Sequence, residues 1–397
     1  MLHLRREQYH YDYQHYYYPL PTSGAVSSYL NNQDHLRAPG TAREFFVFKK
    51  GATMTAILER PTTYTTHGDE ALAIIDRYRD TVDDRTRVEQ LDTEFPYYVR
   101  HLGLYGTQLA DLTDNTSGSF KWRGAFVGAT ELKAQGADHL IAPSAGNHAR
   151  GAVLAAKALD MFVTVAVPST APPAKREKIQ DLWDSYKLRV VTAGATFDES
   201  LAWALEQEGA LLHPYDDLAV VAGQGTVVDD ILRQAPDTRR LVVPVGGGGL
   251  ATGILRRLEE LGRNDVNVYG AEAAGSNSLS NSLRLREVTR ADAPNARFGG
   301  SAVLRIGDLA FDAFTRYPNA SVTQVPESAV DELSEIYVHG RQDLLRQRTP
   351  NFEPTSLVAI AALEQLELPG EGTVVLGTGQ NDTIYPNRAD RSRHLPM

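Results

Sequence analysis

The chain has 397 residues, long enough to bury a core in one large or two medium domains without covalent cross-links. It has no cysteine, which excludes disulfides and thiolate metal sites and fits a reducing compartment. Forty basic and fifty acidic residues give a net charge of −10, which argues against a broad surface for nucleic acid or membranes. No apolar run is long enough to span a bilayer and the first residues are charged, so we expect a cytoplasmic protein.

The N-terminal region is unusual in composition. Its first twenty residues hold six of the eighteen tyrosines and three of the eleven histidines. We interpret this tract as an arm that packs on the large domain or on a partner subunit, rather than as a metal or nucleic-acid site. One strand in REFFVFKK and one helix in DEALAIIDRYRDTV follow. Residues 1–94 are therefore predicted to form an N-terminal extension.

From about Phe95 onward, short apolar runs alternate with helical periods. Strands are predicted in HLIAPS, FVTVAVPS, RVVTAG, LVVPV, NVYGAE and TVVL. Helices are predicted in HARGAVLAAKAL, AKREKIQDLWDSY, FDESLAWALEQEG and LATGILRRLEELG. This alternation is typical of an α/β fold with parallel sheets. Ligands of such folds bind at the carboxyl ends of strands, so the residues that follow each run are the first candidates for a site.

Two segments offer reactive or polar side chains. In TSGSFKWRGA, Lys121 stands between Phe120 and Trp122 at the predicted start of a helix, where poor solvation would lower the pKa of its amine. SAGNHARG follows a predicted strand, and its small residues let backbone N–H groups converge beside the Asn147 amide. Taken alone, this second segment is equally well interpreted as a capped turn.

Two further segments are rich in glycine. GGGGL, residues 246–250, follows a strand and opens a helix, which indicates a phosphate site. Gly246, Gly248 and Ala251 also fit a G-x-G-x-x-A pattern with Glu272 at the end of the next strand, so a dinucleotide fold is a competing interpretation. Thr378 lies in GTGQND, where it meets a ring nitrogen or caps the turn. Together, the four segments suit a phosphorylated aldehyde cofactor that binds a lysine.

At these residues the sequence resembles the fold-type II pyridoxal-phosphate (PLP) enzymes, the tryptophan synthase β-like superfamily, and most closely its threonine and serine dehydratases. The resemblance covers about residues 95–385 in SGSFKWRGA, SAGNHARG, VPVGGGGLATGI, GAEAAGS, EPTSLVAIAAL and GTGQND. It implies two doubly wound α/β domains with mostly parallel sheets and the cofactor in the cleft between them. We place the large domain at residues 95–125 and 236–397 and the small inserted domain at 126–235. Such enzymes are commonly homodimers or homotetramers.

The resemblance also implies roles for individual residues. Lys121 forms the Schiff base with PLP and moves the Cα proton, Phe120 packs near the ring, Asn147 binds the 3′-oxygen, and Thr378 faces the pyridine nitrogen. The cofactor phosphate binds to Gly246, Gly247, Gly248, Gly249 and the N–H of Leu250. The substrate binds to Ser119, Ser144, Ala145, Gly146, Asn147 and His148.

Several positions restrict the chemistry. A hydroxyl at Thr378 cannot protonate the pyridine nitrogen as a carboxylic acid would, which favours elimination or replacement at Cβ over transamination. Ala145 stands where related serine racemases have a serine, so racemisation is disfavoured. Arg150 replaces a glutamine found in many dehydratases, and this change is expected to alter substrate choice. Ser278 stands six residues after Glu272, where cation-binding members have aspartate, so no metal is expected. The chain ends soon after GTGQND, so no C-terminal effector domain is expected.

The predicted function is a PLP-dependent lyase that acts on L-threonine, L-serine or a related β-substituted amino acid and yields a 2-keto acid and ammonia. One alternative is a synthase similar to cysteine synthase or threonine synthase, which adds a second nucleophile after elimination. A second alternative is a PLP-binding protein without turnover. An NAD-binding Rossmann protein ranks last, because it leaves the lysine segment unexplained.

Overall fold

Two β-sheets organise the polypeptide. The computed structural model describes Asp69, residues 71–74, 86–343 and 352–380, all within one unit, residues 66–397. The Tyr/His-rich tract and the predicted strand REFFVFKK lie outside the described residues. Of the helix predicted in DEALAIIDRYRDTV, Asp69 and residues 71–74 are described, and they are helical.

The larger sheet has six strands in the order β1-β2-β10-β7-β8-β9. These strands are β1 (Arg87–Gln90), β2 (Gln108–Asp111), β7 (Arg240–Pro244), β8 (Asn267–Ala273), β9 (Ala320–Val325) and β10 (Thr373–Gly377). Only the β1–β2 pair is antiparallel among the described strands of this sheet, with Val88 opposite Ala110. The other pairs are parallel, and Val375 of β10 lies opposite both Leu109 of β2 and Val242 of β7.

The smaller sheet has four parallel strands in the order β5-β4-β3-β6. These strands are β3 (His139–Pro143), β4 (Phe162–Val167), β5 (Leu188–Thr192) and β6 (Ala210–Leu211). Leu140, Ile141 and Ala142 of β3 are fully buried. A strand covered on both faces has no polar face, which explains the continuous apolar run in the sequence.

The described helices flank the two sheets. They are α1 (Leu91–Glu94), α2 (Pro96–Leu102), α3 (Lys121–Ala134), α4 (Asn147–Leu159), α5 (Pro173–Gln180), α6 (Phe197–Leu205), α7 (Leu218–Gly225), α8 (Val227–Gln234), α9 (Gly249–Glu260), α10 (Ser278–Leu285), α11 (Asp308–Arg316), α12 (Glu327–Asp343) and α13 (Pro354–Leu366). Helix α3 packs its buried residues Phe126 and Ala129 into the core of the smaller sheet, whereas α13 packs on the larger sheet. Helix α3 also crosses the predicted domain boundary after residue 125 without a break; the boundaries themselves stay a prediction.

The fold class is confirmed, because both sheets are mostly parallel and connected through helices. Two predicted helices are shorter than expected. The helix predicted over AKREKIQDLWDSY ends at Gln180, and the one predicted over FDESLAWALEQEG ends at Leu205. Leu182 and Trp183 leave the helix and pack against the core of the smaller sheet. Gly209 has φ +138°, so the last residue of the predicted segment cannot be helical.

Four strand ends carry the predicted site segments. The loop after β2 leads to Lys121, the loop after β3 leads to Asn147, the loop after β7 leads to Gly249, and Thr378 directly follows β10. Because parallel strands present their carboxyl ends at one edge, this topology brings residues that are far apart in sequence toward a common cleft.

Candidate active site

Lys121 is the first residue of helix α3 and points into a cavity of about 320 Å³. Its Nζ donates a hydrogen bond to the carbonyl of Pro214 at 2.7 Å and lies 5.0 Å from the centre of the Phe120 ring. Burial lowers the pKa of the Lys121 amine to about 7, although the nearby Glu353 carboxylate opposes this shift. A large fraction of this amine is therefore uncharged and nucleophilic at neutral pH.

The segment before Lys121 is fastened to the end of strand β10. The N–H of Phe120 donates to the carbonyl of Thr378 at 3.2 Å, and Ser119 forms a β-bridge with Gly379. Ser119 and Thr378 are both fully buried, and neither is among the described residues that line the cavity. Both residues thus hold the walls of the site together in this structure, and their predicted ligand contacts stay a prediction.

The turn from Ser144 to His148 forms another wall of the cavity. The Ser144 hydroxyl accepts a hydrogen bond from the N–H of Gly146 at 3.1 Å, and helix α4 begins at Asn147. The Asn147 amide donates to both carboxylate oxygens of Glu353, at 2.8 and 2.9 Å. Backbone N–H groups at the start of a helix attract anions, so this turn suits a carboxylate or phenolate ligand.

His148 faces the same cavity but is held by the protein. Its Nε2 donates to the carbonyl of Leu212 at 2.7 Å. Burial, together with the Lys121 charge, lowers the pKa of His148 to about 3. The imidazole is neutral at physiological pH, which argues for a structural side chain whose backbone, rather than its ring, faces a ligand.

The glycine loop Gly246–Gly249 connects β7 to α9 and also lines the cavity. Gly248 has φ +85°, which a residue with a side chain rarely adopts. A Cβ on Gly247 would overlap the Tyr215 ring, and one on Gly249 would lie 2.7 Å from Oε1 of Gln224. Only glycine fits these positions, and the backbone N–H groups at the start of the twelve-residue helix α9 suit a phosphate.

Thr378 contacts the segment before Lys121, and both its backbone and its side chain lie within hydrogen-bonding distance of partners. Its N–H donates to the Ser356 hydroxyl at 2.9 Å, and the two hydroxyl oxygens lie 3.4 Å apart. Ser356 belongs to helix α13, which begins just after Glu353. The segment EPTSLVAIAAL therefore supports two different parts of the site.

The sequence interpretation missed several residues of the cavity. Pro214 and Tyr215 follow the two-residue strand β6, and Glu353 precedes α13. Glu353 stood in a segment that supported the resemblance, but its buried carboxylate was not assigned to the site. The signal that was available for Pro214 and Tyr215 is the HPYDD segment after a short apolar run, which fits the rule that sites follow strand ends.

Glu272 is a buried carboxylate outside the cavity. It accepts hydrogen bonds from the N–H of Leu279 at 2.8 Å and from the N–H and hydroxyl of Ser280 at 2.9 and 2.7 Å. Burial raises its pKa to about 7, against the effect of these donors. Ser278 donates its hydroxyl to the carbonyl of Thr289. Glu272 thus caps the start of helix α10.

Comparison with known proteins defines the class of this site. Residues 110–379 match the family model of pyridoxal-phosphate-dependent enzymes. The chain is 33% identical to an L-threonine ammonia-lyase of Thermotoga maritima over 69% of this chain and 66% of that one. It is 31% identical to a catabolic L-threonine dehydratase of Staphylococcus aureus over 67% of this chain and 76% of that one. The match thus spans just under two thirds of the first relative.

A solved structure agrees with these relatives. The crystal structure of a threonine deaminase from T.th. superposes with a TM-score of 0.65 and 28% identity, over 80% of this chain and 99% of that one. The chain therefore belongs to the pyridoxal-phosphate-dependent enzymes of fold type II. The predicted resemblance to threonine and serine dehydratases and the predicted cofactor are both confirmed.

The residues present fit this cofactor. The buried amine of Lys121 suits an aldehyde, the glycine loop leaves no room for a Cβ at Gly247, and its N–H groups suit a phosphate. Within the residues that the structure describes, no helix has the length and apolar character needed to cross a membrane.

Proposed function

We propose that this protein is an ammonia-lyase that uses PLP to eliminate the β-substituent of L-threonine, L-serine or a related β-substituted L-amino acid. The products are a 2-keto acid and ammonia. The observation that carries the proposal is the Lys121 amine, with a pKa near 7, in one cavity with the Asn147 turn and the glycine loop. The names of the relatives, threonine ammonia-lyase and threonine dehydratase, support this reaction type.

Different residues of the chain would bind different parts of the cofactor. When bound, PLP supplies an aldehyde that condenses with amines and a ring that withdraws electrons from Cα. Lys121 would hold the aldehyde carbon, and Phe120 would pack beside the ring. The Asn147 amide would donate to the 3′-oxygen and Thr378 would face the pyridine nitrogen. The phosphate would bind to the N–H groups of Gly246, Gly247, Gly248, Gly249 and Leu250.

Substrate binding is assigned to the turn that begins helix α4. The substrate carboxylate would bind to backbone N–H groups of this turn, which come from Ser144, Ala145, Gly146, Asn147 and His148. Ser119 would lie beneath the turn. Lys121 Nζ would then accept the Cα proton, since an amine with a pKa near 7 is both a competent base and, once protonated, a competent acid at neutral pH. The β-oxygen then departs with the electron pair of the Cβ–O bond.

Thr378 favours elimination over transamination. Its hydroxyl lies beside the Ser356 hydroxyl rather than beside a carboxylic acid. A hydroxyl does not transfer a proton to a pyridine nitrogen as a carboxylic acid does, so Thr378 would leave this nitrogen unprotonated and the bound cofactor would supply a weaker electron sink. Rapid loss of the β-substituent is the outcome that this environment supports.

The proposal includes the cellular setting and the domain boundaries. We place the protein in the cytoplasm as a homodimer or homotetramer, and the absence of cysteine supports a reducing compartment. The large domain is residues 95–125 and 236–397, and the small domain is 126–235. Analytical ultracentrifugation of the holoenzyme tests the assembly, and a monomer would contradict it.

The function is tested by the near-visible absorption spectrum of the holoenzyme during addition of single amino acids. With L-threonine or L-serine, we expect the cofactor band to shift and 2-keto acid and ammonia to accumulate in equal amounts. A band shift without keto acid, followed by formation of a new amino acid when a thiol or another nucleophile is added, would instead support a synthase. A shift with neither product would support a binding protein.

A further inference from the structure

A second cavity, of about 290 Å³, adjoins the cavity that contains Lys121. The two cavities share Ala145, Gly146, Lys175 and Ala296 as lining residues. Ala145 and Gly146 belong to the turn that we assign to the substrate carboxylate. A group attached to Cβ of a bound amino acid would therefore have this second cavity within reach.

The second cavity is positively charged. Arg150, Lys175, Lys178 and Arg297 line it, and none of the described residues that line it is acidic. Arg297 is paired with Asp331 at 2.6 Å and with Glu327 at 3.4 Å, so its charge is partly neutralised. The remaining lining is small or apolar and includes Pro172, Ile179 and Pro354. A cavity of this kind attracts an anion and offers little to a cation.

Arg150 is the residue that links this charge to the active site. It lies three residues after Asn147 on helix α4, so the two side chains share a face about 4.5 Å apart along the axis. Its Nε donates to the carbonyl of Ser117 at 3.1 Å, which fixes the guanidinium in place. Within the described part of the chain, no carboxylate forms an ion pair with it. Desolvation lowers the pKa of the Arg150 guanidinium, which nevertheless stays cationic at neutral pH.

A partly buried guanidinium without an ionic partner is costly unless a ligand supplies one. The Nε contact with Ser117 leaves the two terminal nitrogens, which are the atoms that bind a carboxylate or phosphate in bidentate fashion. Arg150 is thus oriented toward the second cavity by one hydrogen bond and available to an anion through the others.

We propose that the second cavity binds an anionic group on the substrate side chain, and that Arg150 selects for it. The substrate is then a β-substituted amino acid with a carboxylate on Cβ or a phosphate ester on the β-oxygen. This inference rests on the proposed function. In both cases the Cα proton moves to Lys121 and the Cβ–O bond breaks. The oxygen leaves as water, after taking up a proton, or as inorganic phosphate. Water then releases ammonia from the unsaturated product and leaves the 2-keto acid.

The test compares kcat/KM for L-threo-3-hydroxyaspartate and O-phospho-L-serine with that for L-serine. Every amino acid has the same α-carboxylate, so its contribution cancels in the ratio of anionic to neutral substrate. We expect the wild-type ratio to exceed ten for at least one anionic substrate, and the better of the two identifies the anion. Because a hydrogen-bonded ion pair is worth about 10- to 100-fold, Arg150→Gln should lower the ratio by about that factor.

Two variants control for indirect effects. Arg150→Lys keeps the charge and should retain a ratio between those of the wild type and Arg150→Gln. Arg176→Gln removes an exposed arginine of helix α5 that bonds to Thr192 and does not line the cavity, so it should leave the ratio unchanged. An equal loss for anionic and neutral substrates in Arg150→Gln would overturn the proposal, since it would mean that Arg150 acts only through Ser117.

The outcomes separate this inference from the proposed function. Turnover of L-serine or L-threonine with a wild-type ratio below one overturns the anionic subsite and leaves the lyase standing. If no amino acid yields keto acid, the proposed lyase function is wrong. The anionic subsite is then tested by calorimetric measurement of the binding of O-phospho-L-serine and 3-hydroxyaspartate to the holoenzyme. Binding of either compound that is about tenfold or more weaker in Arg150→Gln than in the wild type would support the subsite. Equal binding by the two proteins, or no detectable binding by the wild type, would overturn it.

Discussion

Two loops that line the site have the same local structure but different surroundings. Ser144–Gly146 and Val245–Gly248 each follow a buried parallel strand and lead into a helix. A Cβ on Gly247 would overlap the Tyr215 ring, whereas a Cβ on Gly146 would meet no heavy atom within 4 Å. The glycine loop is closely packed and offers backbone only. The Asn147 turn is open and offers a side chain.

This difference indicates that the two loops bind different kinds of group. A packed, backbone-only loop holds an unchanging group such as the cofactor phosphate, because no side chain can alter its shape. An open turn leaves space for a group that enters and leaves in each cycle. Lys121 lies in the same cavity, and we assign it a role toward both the cofactor and the substrate.

The largest effect is expected for Lys121→Ala, which removes the amine and leaves both loops in place. Turnover of any amino acid should fall by about 10³-fold or more, because the base and the attachment point are lost together. The cofactor should still bind through the glycine loop without a covalent link. After borohydride reduction and denaturation, absorption spectroscopy would show free cofactor for the variant and protein-bound cofactor for the wild type. Residual activity within tenfold of the wild type would contradict the role of Lys121.

Alanine substitutions in the two loops test the comparison directly. Gly247→Ala places a methyl group against Tyr215, so we expect about 1–3 kcal/mol of destabilisation and a Kd for PLP that rises about 100-fold. Gly146→Ala places its methyl group in open space, so the Kd for PLP should stay within about twofold. Equilibrium dialysis of PLP against both variants measures the contrast. Similar values for the two would show that the loops do not differ in this way.

A smaller effect is expected for Asn147→Ala, which changes the open turn without touching the glycine loop. The variant loses the amide that donates to Glu353 in this structure and that we assign to the 3′-oxygen. A hydrogen bond to a charged group is worth about 1.5–3 kcal/mol, so kcat/KM should fall by about 10- to 100-fold. Asn147→Asp is the informative companion, because it keeps the size but places an acceptor beside the Glu353 carboxylate. Unchanged activity in both variants would remove Asn147 from the mechanism.

The smallest effect is a pH dependence of cofactor capture by the apoprotein. Burial lowers the pKa of Lys121 to about 7, and only the uncharged amine attacks an aldehyde. Below this pKa the rate of Schiff-base formation should therefore rise about tenfold per pH unit, and above it the rate should level off. Stopped-flow absorption after mixing with PLP measures the profile. A rate that keeps rising to the pKa of an ordinary lysine, about 10.4, would show that the amine is well solvated.

Much of the site was predictable because its chemistry is encoded in short segments. The lysine flanked by Phe120 and Trp122, the Asn147 turn and the glycine loop are each contained within ten residues. The Asn147 turn and the glycine loop each follow a strand that its own apolar run reveals, whereas β2, the strand before Lys121, was not predicted. The comparisons confirm the class and the cofactor. The roles of the individual residues stay predictions that the experiments above address.

Other parts of the site depend on contacts between distant segments. Glu353 reaches Asn147 across 206 positions, and the Pro214 carbonyl that binds Lys121 lies 93 positions away. Neither position has a local pattern, because a carbonyl oxygen is present in every residue and a single glutamate is common. The short strand β6, which leads toward Pro214, has only two residues and too little periodicity to be predicted.

The sequence by itself determined the α/β class and the cofactor and predicted Lys121 as the reactive lysine, because local spacing of apolar, glycine and polar residues indicates many of the strands, nests and helix starts. Only the tertiary structure decided the surroundings of that lysine. The packing of α4 against α3 and of Tyr215 against Gly247 defines which loop is closed and which is open. The contact between α4 and α5 brings Arg150, Lys175 and Lys178 to one cavity. Charges that come from separate helices acquire a shared function only when the chain brings them together.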